Sequence, residues 1–190
     1  MSALVAGLEA TVEFVYPDAP KLASGSASWW NALDALPAAD GAPSVGAKHY
    51  EGWEQTRAWA IAYFAQQGPF DGVFGFSQGA ALTALLVGLR AFAAVPTADR
   101  PLLFNRAMLI SGFVSNDPKH AELYESKRSF ELPSLHLIGR SDRIVPRAAS
   151  LALAARFAAP TVVEHDGGHV IASNAEVRDA LATFLSRTSG

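Results

Sequence analysis

The chain of 190 residues contains no cysteine. That absence excludes a disulfide scaffold, a thiolate-ligated zinc site and a cysteine nucleophile, and it fits a cytoplasmic location. Charge is scarce: 17% of residues are Asp, Glu, Lys or Arg, and the formal net charge is -3. With no basic patch, nucleic acid and acidic membranes are poor partners. No apolar run approaches the roughly 18 residues that cross a bilayer, so no membrane span is expected. The first basic residue is Lys21, so a secretory leader with a basic n-region is not expected. Half the residues are hydrophobic, which argues against disorder. A chain this long buries a sizeable core without metals, and residues 1–190 read as one domain.

Apolar runs alternate with helical patterns, which predicts an α/β fold: a mostly parallel sheet flanked by helices. The first strand is expected over Thr11–Tyr16, stopped by Pro17. Asp18–Lys48 reads as a long surface excursion that holds Trp29 and Trp30. Glu51–Gln67 reads as a helix ended by Gly68-Pro69, with Trp53, Ala60, Ile61 and Phe64 on one face. Phe70–Phe76 suits a strand buried on both faces. Gln78–Phe92 is a helix apolar nearly all round, hence deeply buried. Further strands are expected at Arg106–Ser111, Leu132–Ile138 and Thr161–Glu164, with a possible short helix in the polar stretch Asn116–Ser129. Arg147–Phe157 reads as a helix. A capping box, Ser173-Asn174-Ala175-Glu176, opens a final helix whose inner face carries Val177, Leu181, Phe184 and Leu185.

The strongest signal is Gly75-Phe76-Ser77-Gln78-Gly79. It matches G-x-S-x-G and lies directly after an apolar strand and before a helix, the context a nucleophile elbow requires. Side chains at Gly75 and Gly79 would be expected to collide with neighbouring backbone. The Gln78 backbone N–H, at a helix N-terminus, would face a developing oxyanion. The alternative is a tight strand-to-helix turn with an incidental serine.

A serine hydroxyl needs a base. Four histidines follow Ser77. His136 lies within an apolar strand and reads as a core or face residue, and His120 as a solvated one. His165 and His169 both lie near the end of the last strand. His169 is preferred, because Gly167-Gly168 gives a loop able to bring an imidazole over the elbow; His165 stays as the alternative. The orienting acid belongs on a loop after an earlier strand, as Asp142 does. Asp117 and Asp166 compete, and Asp142 has an alternative fate as an ion pair with Arg140 or Arg143. The four-residue spacing of His165 and His169 is that of a helical zinc pair, but Asp166-Gly167-Gly168 does not read as helix, so no metal is expected.

In these residues the chain resembles the "family of serine hydrolases" (FSH) branch of the α/β-hydrolases. The shared features run in order from about Val12 to Val170. They include Asp18-Ala19-Pro20, Trp29-Trp30, Tyr50-Glu51-Gly52 and Gly68-Pro69-Phe70-Asp71-Gly72-Val73, the elbow with Ala80, Ile110-Ser111-Gly112-Phe113, Leu132-Pro133-Ser134-Leu135-His136, and Gly167-Gly168-His169. The resemblance implies an α/β-hydrolase fold, a Ser77–Asp142–His169 triad, and hydrolysis of carboxylic esters or acyl thioesters without cofactor. There are two departures. Ala172 stands where the family usually has Pro. The initial family strand ending in His-Gly, whose loop helps form the oxyanion hole, has no counterpart, since Ser2–Ala10 resembles only the tail of the first helix. The resemblance places that strand between Thr11–Tyr16 and Phe70–Phe76. Its loss removes an oxyanion donor, costing about 2.7–4 kcal/mol in other hydrolases. The flanking strands must then pair directly or leave backbone groups unsatisfied at about 1–3 kcal/mol each. The expectation is a chain start placed too late, with a shortened or degenerate protein as the alternative.

The resulting expectation is acyl transfer from a small-molecule ester or thioester through an acyl-enzyme, with Phe76, Phe113, Ile144 and Val145 as candidate pocket residues and Trp29-Trp30 as either lid or packing. Two other readings stay open: a pseudoenzyme or binding module, and an acyltransferase to an acceptor other than water. Nothing in the sequence bears on oligomeric state.

Overall fold

The computed structural model describes residues 2–5, 8, 11–34, 46–92, 102–125 and 129–186. Its elements in chain order are α1 (Ser2–Val5), β1 (Asn31–Asp34), β2 (Lys48–Glu51), α2 (Trp53–Gln67), β3 (Gly72–Phe76), α3 (Gln78–Phe92), β4 (Arg106–Ile110), a 3-10 turn (Pro118–His120), α4 (Ala121–Glu125), β5 (Ser134–Gly139), α5 (Arg147–Ala154), β6 (Pro160–His165) and α6 (Ala175–Ser186). Parts of the expected helix tail over 2–10, of the excursion over 18–48 and of the stretch 116–129 lie outside the described residues.

Four parallel strands form the main sheet in the order β3-β4-β5-β6. A helix follows each of the first three strands, as parallel crossovers require. Alternation along β4 splits the core between two faces. Ala107 and Leu109 meet α3 and the aromatic side chains beyond it. Met108 and Ile110 pack with Leu135 and Leu137 of β5, Leu4 of α1, and Val177, Leu181 and Phe184 of α6. The inner face expected for α6 is therefore the buried one. Its cap is shifted by one residue: Asn174, not Ser173, accepts the Val177 N–H at 2.9 Å, because the helix starts at Ala175.

Three expectations are corrected. Thr11–Tyr16 is extended but is not a strand. No described strand lies alongside it, so its backbone has no ladder to join, and Val15 and Tyr16 are exposed. β3 is consequently an edge strand among the described residues, half-buried along most of its length, unlike β5, which is buried throughout. The excursion holds an antiparallel pair, β1 with β2, in which Ala32 faces Tyr50. His120, finally, is 2% exposed rather than solvated. Its ring meets Trp53 at 4.7 Å and Tyr50 at 5.5 Å, and its Nδ1 lies 2.7 Å from Ser115 Oγ. Trp30 completes this box, stacked on Tyr50 at 4.6 Å, so it is core and not lid.

His136, at the centre of β5, is 2% exposed and packs edge-on against Phe157 at 5.0 Å. Its Nε2 lies 3.1 Å from Ser134 Oγ. Burial disfavours the imidazolium and lowers its pKa from 6.5 to about 4. Because the folded value lies below the unfolded one, this contribution to stability is complete above pH 6.5 and is lost as pH falls towards 4. The gap corresponds to roughly 3 kcal/mol. Urea titrations between pH 7 and pH 4 should therefore show a steeper loss of stability for the native chain than for His136→Leu. Parallel losses would contradict this assignment.

Candidate active site

The carboxyl ends of the four parallel strands converge on one edge of the sheet, where ligands bind in open α/β folds. Ser77 follows β3 at φ 55°, a left-handed conformation rare for a residue with a side chain. The turn closes because Gly75 has no Cβ. A Cβ there would stand 2.1 Å from the Gly79 carbonyl oxygen. Gly79 differs: a Cβ on it would meet only the Trp29 Nε1, at an ordinary 3.7 Å, so the expected backbone collision is absent. The Ser77 N–H donates to the Ile110 carbonyl at 2.9 Å, which anchors the turn to β4. The Gln78 N–H opens α3 and has no partner among the described residues.

The loops after β5 and β6 bring the other two candidates to Ser77. His169 Nε2 lies 2.9 Å from Ser77 Oγ, and His169 Nδ1 lies 2.8 Å from Asp142 Oδ2. Asp142 Oδ1 accepts the Ile144 and Val145 N–H groups, each at 2.9 Å. Burial pushes the Asp142 pKa up, but the bonds from His169, Val145 and Ile144, with the Ser111 hydroxyl nearby, outweigh it and hold the carboxyl below its usual value. A carboxylate so held fixes the Nδ1–H tautomer of His169 and leaves Nε2 free to take a proton.

Close backbone approach sets the loop geometry. A Cβ on Gly139 would stand 2.4 Å from the Gly168 carbonyl oxygen, and one on Gly167 would stand 2.9 Å from His165 Nδ1. Ser141 N–H donates to the Gly167 carbonyl, and Arg140 N–H to that of His165. Of the glycines around this loop, Gly139 lets the Gly168 carbonyl approach β5 and Gly167 passes close to His165, while Gly168 has room for a Cβ. His165 itself is buried at the end of β6 and does not reach Ser77. The competing acids are occupied elsewhere. Asp117 is buried and accepts the Tyr50 and Lys119 N–H groups. Asp166 pairs with Arg140 on the surface at 2.6 Å. Among the described residues, no group of His, Asp and Glu side chains is arranged to hold a metal.

The candidate pocket residues separate. Phe76 is half-buried with its ring 4.8 Å from that of His169. Ile144 is 71% exposed beside Asp142. Phe113 is half-buried against the aromatic core. Val145 has its side chain buried, and it serves the site through its N–H instead. One supporting residue was missed. Ser111, directly after β4, sits at φ 47° with a fully buried hydroxyl that reaches toward Asp142 without closing a well-formed hydrogen bond. The signal was Ser111-Gly112 at a strand end, the same pairing of a small polar residue with strand termination that marked Ser77.

The model of the serine hydrolase (FSH1) family matches residues 1–181. The chain belongs to this family. All of the hydrogen-bonded side chains around Ser77 lie inside the matched span. Among curated relatives, the chain is 32% identical over 176 residues to esterase OVCA2 of Xenopus tropicalis, covering 90% of this chain and 70% of that protein. It is 33% identical over 186 residues to esterase CG5412 of Drosophila melanogaster, covering 91% and 62%, and 37% identical over 138 residues to esterase OVCA2 of Homo sapiens, covering 72% and 58%. The chain thus spans between 58% and 70% of the length of these three FSH1 relatives. Among solved structures, esterase PE8 superposes with TM-score 0.56 at 26% identity over 90% of this chain and 76% of that one. Acyl-protein thioesterase 2 of Zea mays superposes with TM-score 0.59 at 19% identity, covering 94% and 84%, and shares the fold. The FSH1 chain accordingly has the α/β-hydrolase fold expected from its sequence.

The glycine contacts give a paired test. Gly139→Ala must push the Gly168 carbonyl away and should cost about 1–3 kcal/mol. Gly168→Ala meets only the Ser141 carbonyl, at 3.5 Å, and should stay within about 1 kcal/mol of the native chain. Thermal unfolding of the two variants checks this, and equal destabilisation would contradict the packing described.

Proposed function

We propose that this chain is a serine hydrolase that cleaves small carboxylic esters or acyl thioesters through an acyl-enzyme. The observation that carries the reading is the unbroken hydrogen-bonded path from Ser77 Oγ through the His169 ring to Asp142. The names of the FSH1 relatives, each an esterase, support it.

His169 Nε2 removes the Ser77 proton as Oγ attacks the carbonyl carbon. The carbonyl π pair moves to oxygen, and the Gln78 N–H at the start of α3 stabilises that oxyanion. Asp142 stabilises the imidazolium through Nδ1. The oxyanion then collapses, the bond to the alcohol or thiol breaks, and His169 delivers its proton to the leaving group. Water enters, His169 takes its proton, and the same sequence releases the carboxylic acid and restores Ser77. Each step uses side chains and a backbone amide of this chain, with no cofactor. Phe76, against the His169 ring, and the exposed Ile144 and Val170, close in sequence to Asp142 and His169, offer apolar surface suited to an acyl chain.

Ser77→Ala should abolish hydrolysis of p-nitrophenyl acetate while leaving the circular dichroism spectrum unchanged. Asp142→Asn should lower kcat/KM by about 10⁴-fold. Native protein that turns over no ester or thioester faster than Ser77→Ala would count against the hydrolase reading and favour a binding module. Faster loss of substrate with added alcohol, and ester rather than acid as product, would identify an acyltransferase.

A further inference from the structure

The side chain of Gln78 does a second thing that its backbone role does not require. Its Oε1 accepts the Trp29 N–H at 3.2 Å, and its Nε2 donates to the Trp30 carbonyl at 2.9 Å. The Thr56 hydroxyl of α2 donates to the Trp29 carbonyl between them. Three side-chain bonds from two helices thus lock this dipeptide across the first turn of α3. The two rings then diverge. Trp30 is buried at 2% exposure against Tyr50. Trp29 is only half-buried, its ring held by Trp59 at 5.3 Å.

The indole N–H of Trp29 has no partner among the described residues and is not sealed in the interior. It is also the one atom group that a Cβ on Gly79 would meet, at 3.7 Å, with nothing else within 4 Å. An unpartnered donor therefore lies beside Gly79, two positions along the chain from the candidate nucleophile.

Building on the hydrolase reading above, we propose that the Trp29 indole N–H is a substrate-binding donor for the carbonyl oxygen of the bound ester or thioester, and that Gln78, through its amide, and Thr56 are the positioning residues that hold it there. The Gln78 N–H, which opens α3, is the other donor proposed for that oxygen. An indole N–H is donor-only, and the held backbone together with the ring contact to Trp59 limits its direction. Its bond to the carbonyl oxygen strengthens as negative charge gathers there during attack.

The test uses Trp29→Phe, which keeps an aromatic ring against Trp59 and removes the donor with the smaller of the two indole rings, and Gln78→Met, which keeps the backbone N–H and removes the clamp. Phosphonylation by a fluorophosphonate, whose P=O oxygen stands in for the carbonyl oxygen, and hydrolysis of p-nitrophenyl acetate are both followed. Trp29→Phe should slow both by about 10- to 100-fold with an unchanged Tm. The double variant should lose no more than the worse single variant, because Gln78 acts through Trp29; a merely structural role would lower Tm and give additive losses. Trp29→Phe reacting within about twofold of the native rate would overturn the proposal, whatever Gln78→Met does. Native protein that reacts with neither reagent would instead bring down the hydrolase reading itself, so the two failures are distinct.

Discussion

Everything at the carboxyl edge of this sheet depends on one tight turn, in which Ser77 is held left-handed between β3 and α3. The turn exists because Gly75 lets the Gly79 carbonyl come closer than any side chain would permit. Holding a serine there costs about 1–3 kcal/mol of local strain, and the anchoring bond to Ile110 in the next strand resists its release. The same turn starts α3, so the hydroxyl, the free Gln78 N–H and the positive end of a helix arrive together. Helix, strand and reactive group are positioned by one local constraint.

A second constraint joins the other two residues to the first. The strand leading to Asp142 and the loop carrying His169 touch backbone to backbone at Gly139 and Gly168. Two N–H groups of the β5 loop bond the carbonyls of His165 and Gly167. The imidazole is thereby placed by main-chain contacts rather than by its own packing. Outside it, Arg140 and Arg147 pair with Glu164 and Asp166 on the surface. Those exposed pairs contribute little to stability, but they occupy the nearby carboxylates and leave Asp142 as the acid that faces His169.

What was legible in the sequence is what is local. The elbow is five consecutive residues, and the helices at Gln78–Phe92 and Ala175–Ser186 announce themselves by apolar spacing. The order serine, acid, histidine then picks Asp142 and His169 from few candidates, and family resemblance agrees. What was not legible depends on partners distant in sequence. Thr11–Tyr16 has a strand's alternation but no strand to pair with among the described residues. His120 sits in a polar stretch, yet Tyr50 and Trp53, more than sixty residues earlier, enclose it. The amide of Gln78 was invisible for the same reason, and Ser111 carried only the weak mark of a Ser-Gly pair at a strand end. Their value lies in reaching Asp142 and Trp29, and no spacing rule encodes that.

The central claim is that Ser77 Oγ, His169 and Asp142 act as one unit beside the Gln78 N–H. A crystal structure of the protein after reaction with a fluorophosphonate tests it most directly. The account predicts phosphorus bonded to Ser77 Oγ, a phosphoryl oxygen within hydrogen-bond distance of the Gln78 N–H, and His169 still bonded to Asp142. An adduct on a different residue, or an imidazole turned away from Asp142 with the Gln78 N–H unengaged, would contradict it.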